Sequence, residues 1–88
     1  MEDVAIALRY TIEEQIPKII AKGKGRLAKS ILDKAKEYNI PIYKDQDLAA
    51  ILASLEVGSF IPENLYKAVA VVLAYCYKVN SNFRQKLN

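Results

Sequence analysis

An α/β domain, with a small sheet of about three strands packed against about three to four helices, is the fold class this sequence predicts. Three observations carry it. Two short runs rich in β-branched residues, VAIALRY (residues 4–10) and KIIAK (residues 18–22), lie near the N-terminus. An apolar repeat at three- and four-residue spacing follows over residues 26–39, with further helical patterns from Leu48 and from Glu63. The chain has 88 residues, which is room for a single domain, read as residues 1–80 with a polar tail at 81–88.

The elements follow in order. Residues 4–10 read as a buried strand with Val4, Ile6 and Leu8 on one face. Residues 11–15 are polar and acidic, a connection. Ile16-Pro17 imposes an extended approach to the second strand, and a proline fits before a ladder because it has no amide to donate. Gly23 and Gly25 permit a tight strand-to-helix turn. A phosphate-cradling loop would need a longer glycine pattern with a Ser or Thr after lysine, which GKGR lacks.

Over residues 26–39, Leu27, Ala28, Ile31, Leu32, Ala35 and Tyr38 form the apolar face of a helix that stops at Asn39. Residues 40–43 (IPIY) read as a third short strand, with Pro41 where no ladder bond is lost. Asp45 or Asp47 caps a helix over residues 48–55, whose inner positions are Leu48, Ile51, Leu52 and Leu55. Pro62 suits a first helical turn. The helix from Glu63 to about Lys78 is apolar nearly all round between Ala68 and Tyr77. Such a helix is either fully buried or offers one face to a partner, and full burial is hard to arrange in so small a domain.

Composition excludes much chemistry. There is no histidine and one cysteine, Cys76, so a Cys/His zinc site, an imidazole base and an internal disulfide are all ruled out by counting. No metal or other cofactor is expected. Glu13-Glu14 and Asp45/Asp47 sit in connections or caps, without the buried cleft that shifts a carboxylate pKa. Cys76 lies within an apolar helix, where a thiol is packing. The longest apolar run is about half a bilayer span, and the N-terminus opens with Glu2 and Asp3, so a soluble cytoplasmic domain is expected.

Net charge is +3, unevenly spread: residues 17–40 sum to +5, while residues 1–16 and 41–66 each sum to −3. The basic segment 18–36 (Lys18, Lys22, Lys24, Arg26, Lys29, Lys34, Lys36) reads first as a solvated face on which Asp33 and Glu37 pair with the bases. A nucleic-acid surface is the alternative, although Tyr38 is the one aromatic beside that segment available for stacking. Catalysis finds no support. Binding is the class that remains.

Four segments, VAIALRY, IPKIIAKGKGRLA, IPIYKDQDLA and VGSFIPENLYKAVAVVLAY, occur in this order from about Val4 to Val79. Together they resemble the cytoplasmic C-terminal domain of the FlhB/YscU/SpaS family of export-switch proteins in flagellar and virulence type III secretion. The most specific parts are IIAKG (residues 19–23), Pro41, Asp47-Leu48-Ala49 and IPENLYKAVA (residues 61–70). The resemblance implies a non-catalytic module that docks export substrates or the export apparatus and affects substrate switching. It implies a docking patch at Ile16, Pro17, Ala70 and Leu73, with Ile16 standing where the family has alanine.

It also implies a departure. The family carries Asn-Pro-Thr-His just before the first strand and cleaves itself between Asn and Pro. Here Met1, Glu2 and Asp3 stand in the places of Pro, Thr and His. The chain then corresponds to the fragment that such cleavage releases, one strand short, with an exposed edge along residues 4–10 open to another chain. Because no Asn-Pro dipeptide occurs in the sequence, prolonged incubation at neutral pH should leave one intact mass. A self-generated fragment pair in mass spectrometry would contradict this.

Overall fold

A computed structural model describes residues 3–79; the tail expected at 81–88 lies outside the described residues. Strand β1 (Val4–Arg9) pairs antiparallel with β2 (Lys18–Lys24). Three α-helices follow, α1 (Arg26–Glu37), α2 (Gln46–Leu52) and α3 (Tyr66–Val79), the last preceded by a 3₁₀ turn at Glu63–Leu65. The class is α/β, as the sequence predicts.

The two faces of the sheet are built differently. On one, small residues let α1 lie close. Gly23 pairs with Ala5, and a Cβ added at Gly23 would fall 2.5 Å from Leu27 Cβ and 2.9 Å from its backbone carbon. Ala28, facing this spot, is fully buried. Gly25 turns the chain from β2 into α1 at φ 55°, a conformation that costs glycine little. On the other face Ile19, Leu48, Leu52, Ile61 and Val69 form the core, flanked by Ile6, Leu8, Leu55, Leu65, Val72 and Leu73. The sheet is thus covered on both sides, which is why β1 reads as apolar without clean alternation.

The ends of the helices follow their residues. Asp45 accepts the Leu48 N–H at 3.0 Å and is the cap of α2; Asp47 lies inside the first turn. Lys22 reaches from β2 to donate to the carbonyls of Ala53 (3.0 Å) and Leu55 (2.8 Å), placing a cation on the exposed end of α2. Asn39 stops α1 at φ 57°. Ile40 N–H bonds the Ala35 carbonyl (2.8 Å) and Asn39 N–H that of Lys36 (3.3 Å), the double bond pattern of a Schellman stop.

That stop explains the main correction. Residues 40–43 do not form a third strand. The amide of Ile40 is already given to the helix, and Pro41 has none, so two successive ladder donors are missing. The neighbour of β2 is instead the segment 58–61. Ile19 N–H donates to Ser59 C=O (2.9 Å), Gly58 N–H to Ile19 C=O (2.7 Å), and Lys18 bridges Phe60. Smaller corrections follow from exposure. Leu27, Tyr38 and Ile51, read as inward, lie at the surface. Pro62 stands just before the 3₁₀ turn, in extended conformation, not within it. Among the described residues the ion pairs involve Glu14, Arg9 and Lys18, and none engages Asp33 or Glu37, which leaves the basic side chains of α1 without the expected partners.

In α3, Val69 is 1% exposed while Val72 is only partly covered. Val69→Asp should therefore abolish the cooperative thermal transition, since an unpaired buried charge costs several kcal/mol against a total stability of about 5–15 kcal/mol. Val72→Asp should lower the midpoint less. A parental melt for both would mean that α3 is not core.

Candidate docking groove

The connection from β1 to β2 is a built turn. Gln15 N–H donates to the Thr11 carbonyl at 2.9 Å, and Gln15 takes a left-handed φ of 59° to close it. The Thr11 hydroxyl accepts the Glu14 N–H (3.2 Å) and donates to the Glu14 carboxylate (3.3 Å). That carboxylate meets Lys18 at 3.3 Å and Arg9 at 3.6 Å, so one acid ties the end of β1 to the start of β2. The hydrogen bond from Lys18, with the positive charges of Lys18 and Arg9, holds the Glu14 carboxyl below its usual pKa. Lys18 also lies over the Phe60 ring, 4.8 Å from its centroid.

The turn delivers Ile16 and Pro17 to one side of a groove. Pro17 is buried, and its carbonyl accepts the Ile61 N–H at 2.9 Å, which pins it to the segment leading into α3. Across from it, Val69 and Ala70 each lie three or four residues from both Tyr66 and Leu73 along α3, so the four share one face of that helix. Ile61 and Val69, almost wholly buried, close the bottom; Tyr10 and Gln15 complete the rim. The cavity measures about 230 Å³ and is mostly apolar in lining. It lies below the roughly 300 Å³ at which pockets for whole small molecules begin, but suits one or two apolar side chains.

Ile16, Pro17, Ala70 and Leu73 all line this groove. They differ in exposure: Ala70 is open, Ile16 and Leu73 are half-buried, and Pro17 is covered. The sequence reading missed Tyr10, Gln15, Ile61, Tyr66 and Val69 as lining residues. The step pattern of Tyr66, Val69, Ala70 and Leu73 on one helix face could have found two of them. Tyr10 and Gln15 are placed by the turn, whose geometry has no periodic signal.

Outside the groove the reactive inventory is thin. Cys76 is half-buried in α3 and burial raises its thiol pKa, the direction opposite to an activated nucleophile. Tyr43 packs edge-on against Tyr75 at 5.2 Å between centroids, anchoring the unpaired segment 40–43 to α3. Among the described residues no helix is long and apolar enough to cross a membrane.

Comparison with known proteins gives one consistent answer. The family model describing the FlhB, HrpN, YscU and SpaS proteins matches residues 2–76. The YlqH protein of Bacillus subtilis (strain 168) is 36% identical over 83 residues, covering 93% of this chain and 89% of its own. The flagellar biosynthetic protein FlhB of Aquifex aeolicus (strain VF5) is 43% identical over 74 residues, 82% of this chain. This chain spans only 21% of that FlhB. Among solved structures, a mutated EscU/SpaS C-terminal domain superposes with a TM-score of 0.82 at 31% identity, covering 86% of this chain and 96% of that one. The PscU C-terminal domain gives 0.78 at 33% identity, with 83% and 95% covered.

Glu14 supplies a pH test of the turn. Its folded-state pKa is lowered, so its contribution is present above the ordinary carboxylate value of 4.5 and disappears as pH falls through the lowered folded value. Glu14→Gln should melt below the parent at neutral pH. The gap should narrow as pH drops under 4.5 and shrink with added salt. A gap independent of pH would assign the effect to something other than the carboxylate charge.

Proposed function

Since the chain belongs to the FlhB/HrpN/YscU/SpaS family of the flagellar and type III export apparatus, we propose that it is a non-catalytic docking module for export substrates, working in the cytoplasm at the exporter. The supporting observation is the convergence of Ile16, Pro17, Ala70 and Leu73 on a single apolar groove between the β1–β2 turn and α3. Such a groove takes one or two apolar side chains of an extended segment. Each contributes about 1–3 kcal/mol when it leaves water, which makes single contacts weak and rapidly reversible. Fast exchange is what a relay site in an exporter needs, because a substrate must move on.

This role asks nothing of bond chemistry. Relatives in the family cleave themselves, but this sequence contains no Asn-Pro step at which to do so. Binding alone can influence which substrates the exporter accepts, by holding one class at the groove in preference to another.

Ala70→Asp should abolish binding of early flagellar subunits with little loss of fold, because Ala70 is exposed. Leu73→Asp should do the same at greater cost in stability. Charge reversal at Lys29 and Lys36 should leave binding nearly unchanged. Amide shifts on titration should cluster at the groove and persist in salt. Shifts on segment 18–36 that vanish with salt would instead support the nucleic-acid reading.

A further inference from the structure

The outer edge of β1 is the side of the strand turned away from β2. Along this strand the polar groups alternate in direction. The Asp3 carbonyl accepts the Gly25 N–H at 2.9 Å, toward β2. Val4 faces the other way: its N–H and carbonyl meet the side-chain amide of Gln46, at 3.3 and 3.5 Å. Alternation sends the backbone groups of Ile6 and Leu8 outward as well. The irregularity between Ala7 and Leu8 does not break this, because Ala7 pairs with Ala21 and Leu8 with Ile19, leaving the extra residue, Ile20, on β2.

Among the described residues no other strand lies against that edge. Protein edges are ordinarily blunted by charge, proline or a bulge, and from Val4 to Leu8 this one has none. Gln46 covers the Val4 end alone. Its amide, using one N–H and its oxygen, stands in for a single residue of a neighbouring strand, on an exposed side chain that can swing away.

We infer that this edge pairs antiparallel with the β1 edge of a second copy, giving a continuous sheet in the order β2-β1-β1-β2. The ends of the strand select the occupant and the register. With the two-fold axis at Ile6, Val4 stands opposite Leu8 of the other copy, and each such pair exchanges both of its N–H···O bonds. Asp3 then faces Arg9 across the axis, twice by symmetry, at a non-hydrogen-bonded position where side chains approach closest. Both residues are exposed, and Arg9 holds its own-chain Glu14 only at 3.6 Å, so its guanidinium has donors to spare. Sliding the strands by two residues loses both ion pairs and shortens the ladder. Widening a two-stranded sheet also relieves the marginal stability of so narrow a ladder.

Sedimentation equilibrium of the full chain over micromolar to millimolar concentrations tests this. The chain should dimerise, with hydrogen-exchange protection of the Ile6 and Leu8 amides appearing only in the dimer. Arg9→Glu should weaken dimerisation by at least about tenfold, turning two attractions into repulsions. Asp3→Lys, at the opposite end of β1 from Glu14, should weaken it to a similar degree without touching the turn. Combining the two restores opposite charges and should bring affinity back to near that of the parent. Gln46→Ala should tighten the dimer by freeing the edge. A chain monomeric throughout, an association indifferent to these charges, a double variant that fails to recover, or protection mapped to the groove or α1 would each overturn the inference.

Discussion

Ile19 is the residue on which the other parts of this domain meet. Its side chain is wholly buried among Leu48, Leu52, Ile61 and Val69, and so joins α2, α3 and the segment between them to one point of the sheet. Its backbone N–H and carbonyl both point to the segment 58–59, on the edge away from β1. It pairs with Leu8 on β1, gives its N–H to Ser59 and accepts from Gly58. A domain this small has few core residues to spare. Here a single position secures apolar burial and the backbone bonds that hold segment 58–59 against β2.

The groove inherits its shape from that arrangement. Ile61 is held beside Pro17 by a backbone bond two residues from Ile19, and Val69 packs in the same core, so the bottom of the groove is core residue viewed from outside. Its two walls have different origins. The α3 wall is rigid because its buried neighbours fix the helix. The wall from residues 15–17 depends on a turn closed by Thr11 and by the Glu14 carboxylate between Arg9 and Lys18. Packing fixes one side of the groove and electrostatics the other, and only the second responds to pH and salt.

Much of this was legible from residue order. The first two strands, the three helices, the glycine turn into α1, the stop at Asn39 and the cap before Leu48 all follow from local patterns that agree with the tertiary outcome. Ile16, Pro17, Ala70 and Leu73 came from resemblance, and their meeting in one groove was not readable from spacing, because Ile16 and Ala70 lie far apart in the chain. Residues 40–43 misled for a specific reason. Their β-branched pattern is real, but a helix stop had taken one amide and proline removed the next. The acids on α1 misled too: spacing permits Asp33 and Glu37 to pair, whereas exposed side chains gain little from doing so. The pairing that does form, at Glu14, crosses a turn that periodicity does not describe.

The central claim is that extended apolar segments seat between the turn and α3. The most direct measurement is a set of intermolecular nuclear Overhauser effects between an isotope-labelled chain and an unlabelled peptide from an early flagellar subunit. The account predicts contacts from the peptide's apolar side chains to the methyl groups of Ile16, Ala70 and Leu73, with none to Leu27 on the exposed side of α1. Contacts confined to α1, or to the edge of β1, would contradict it.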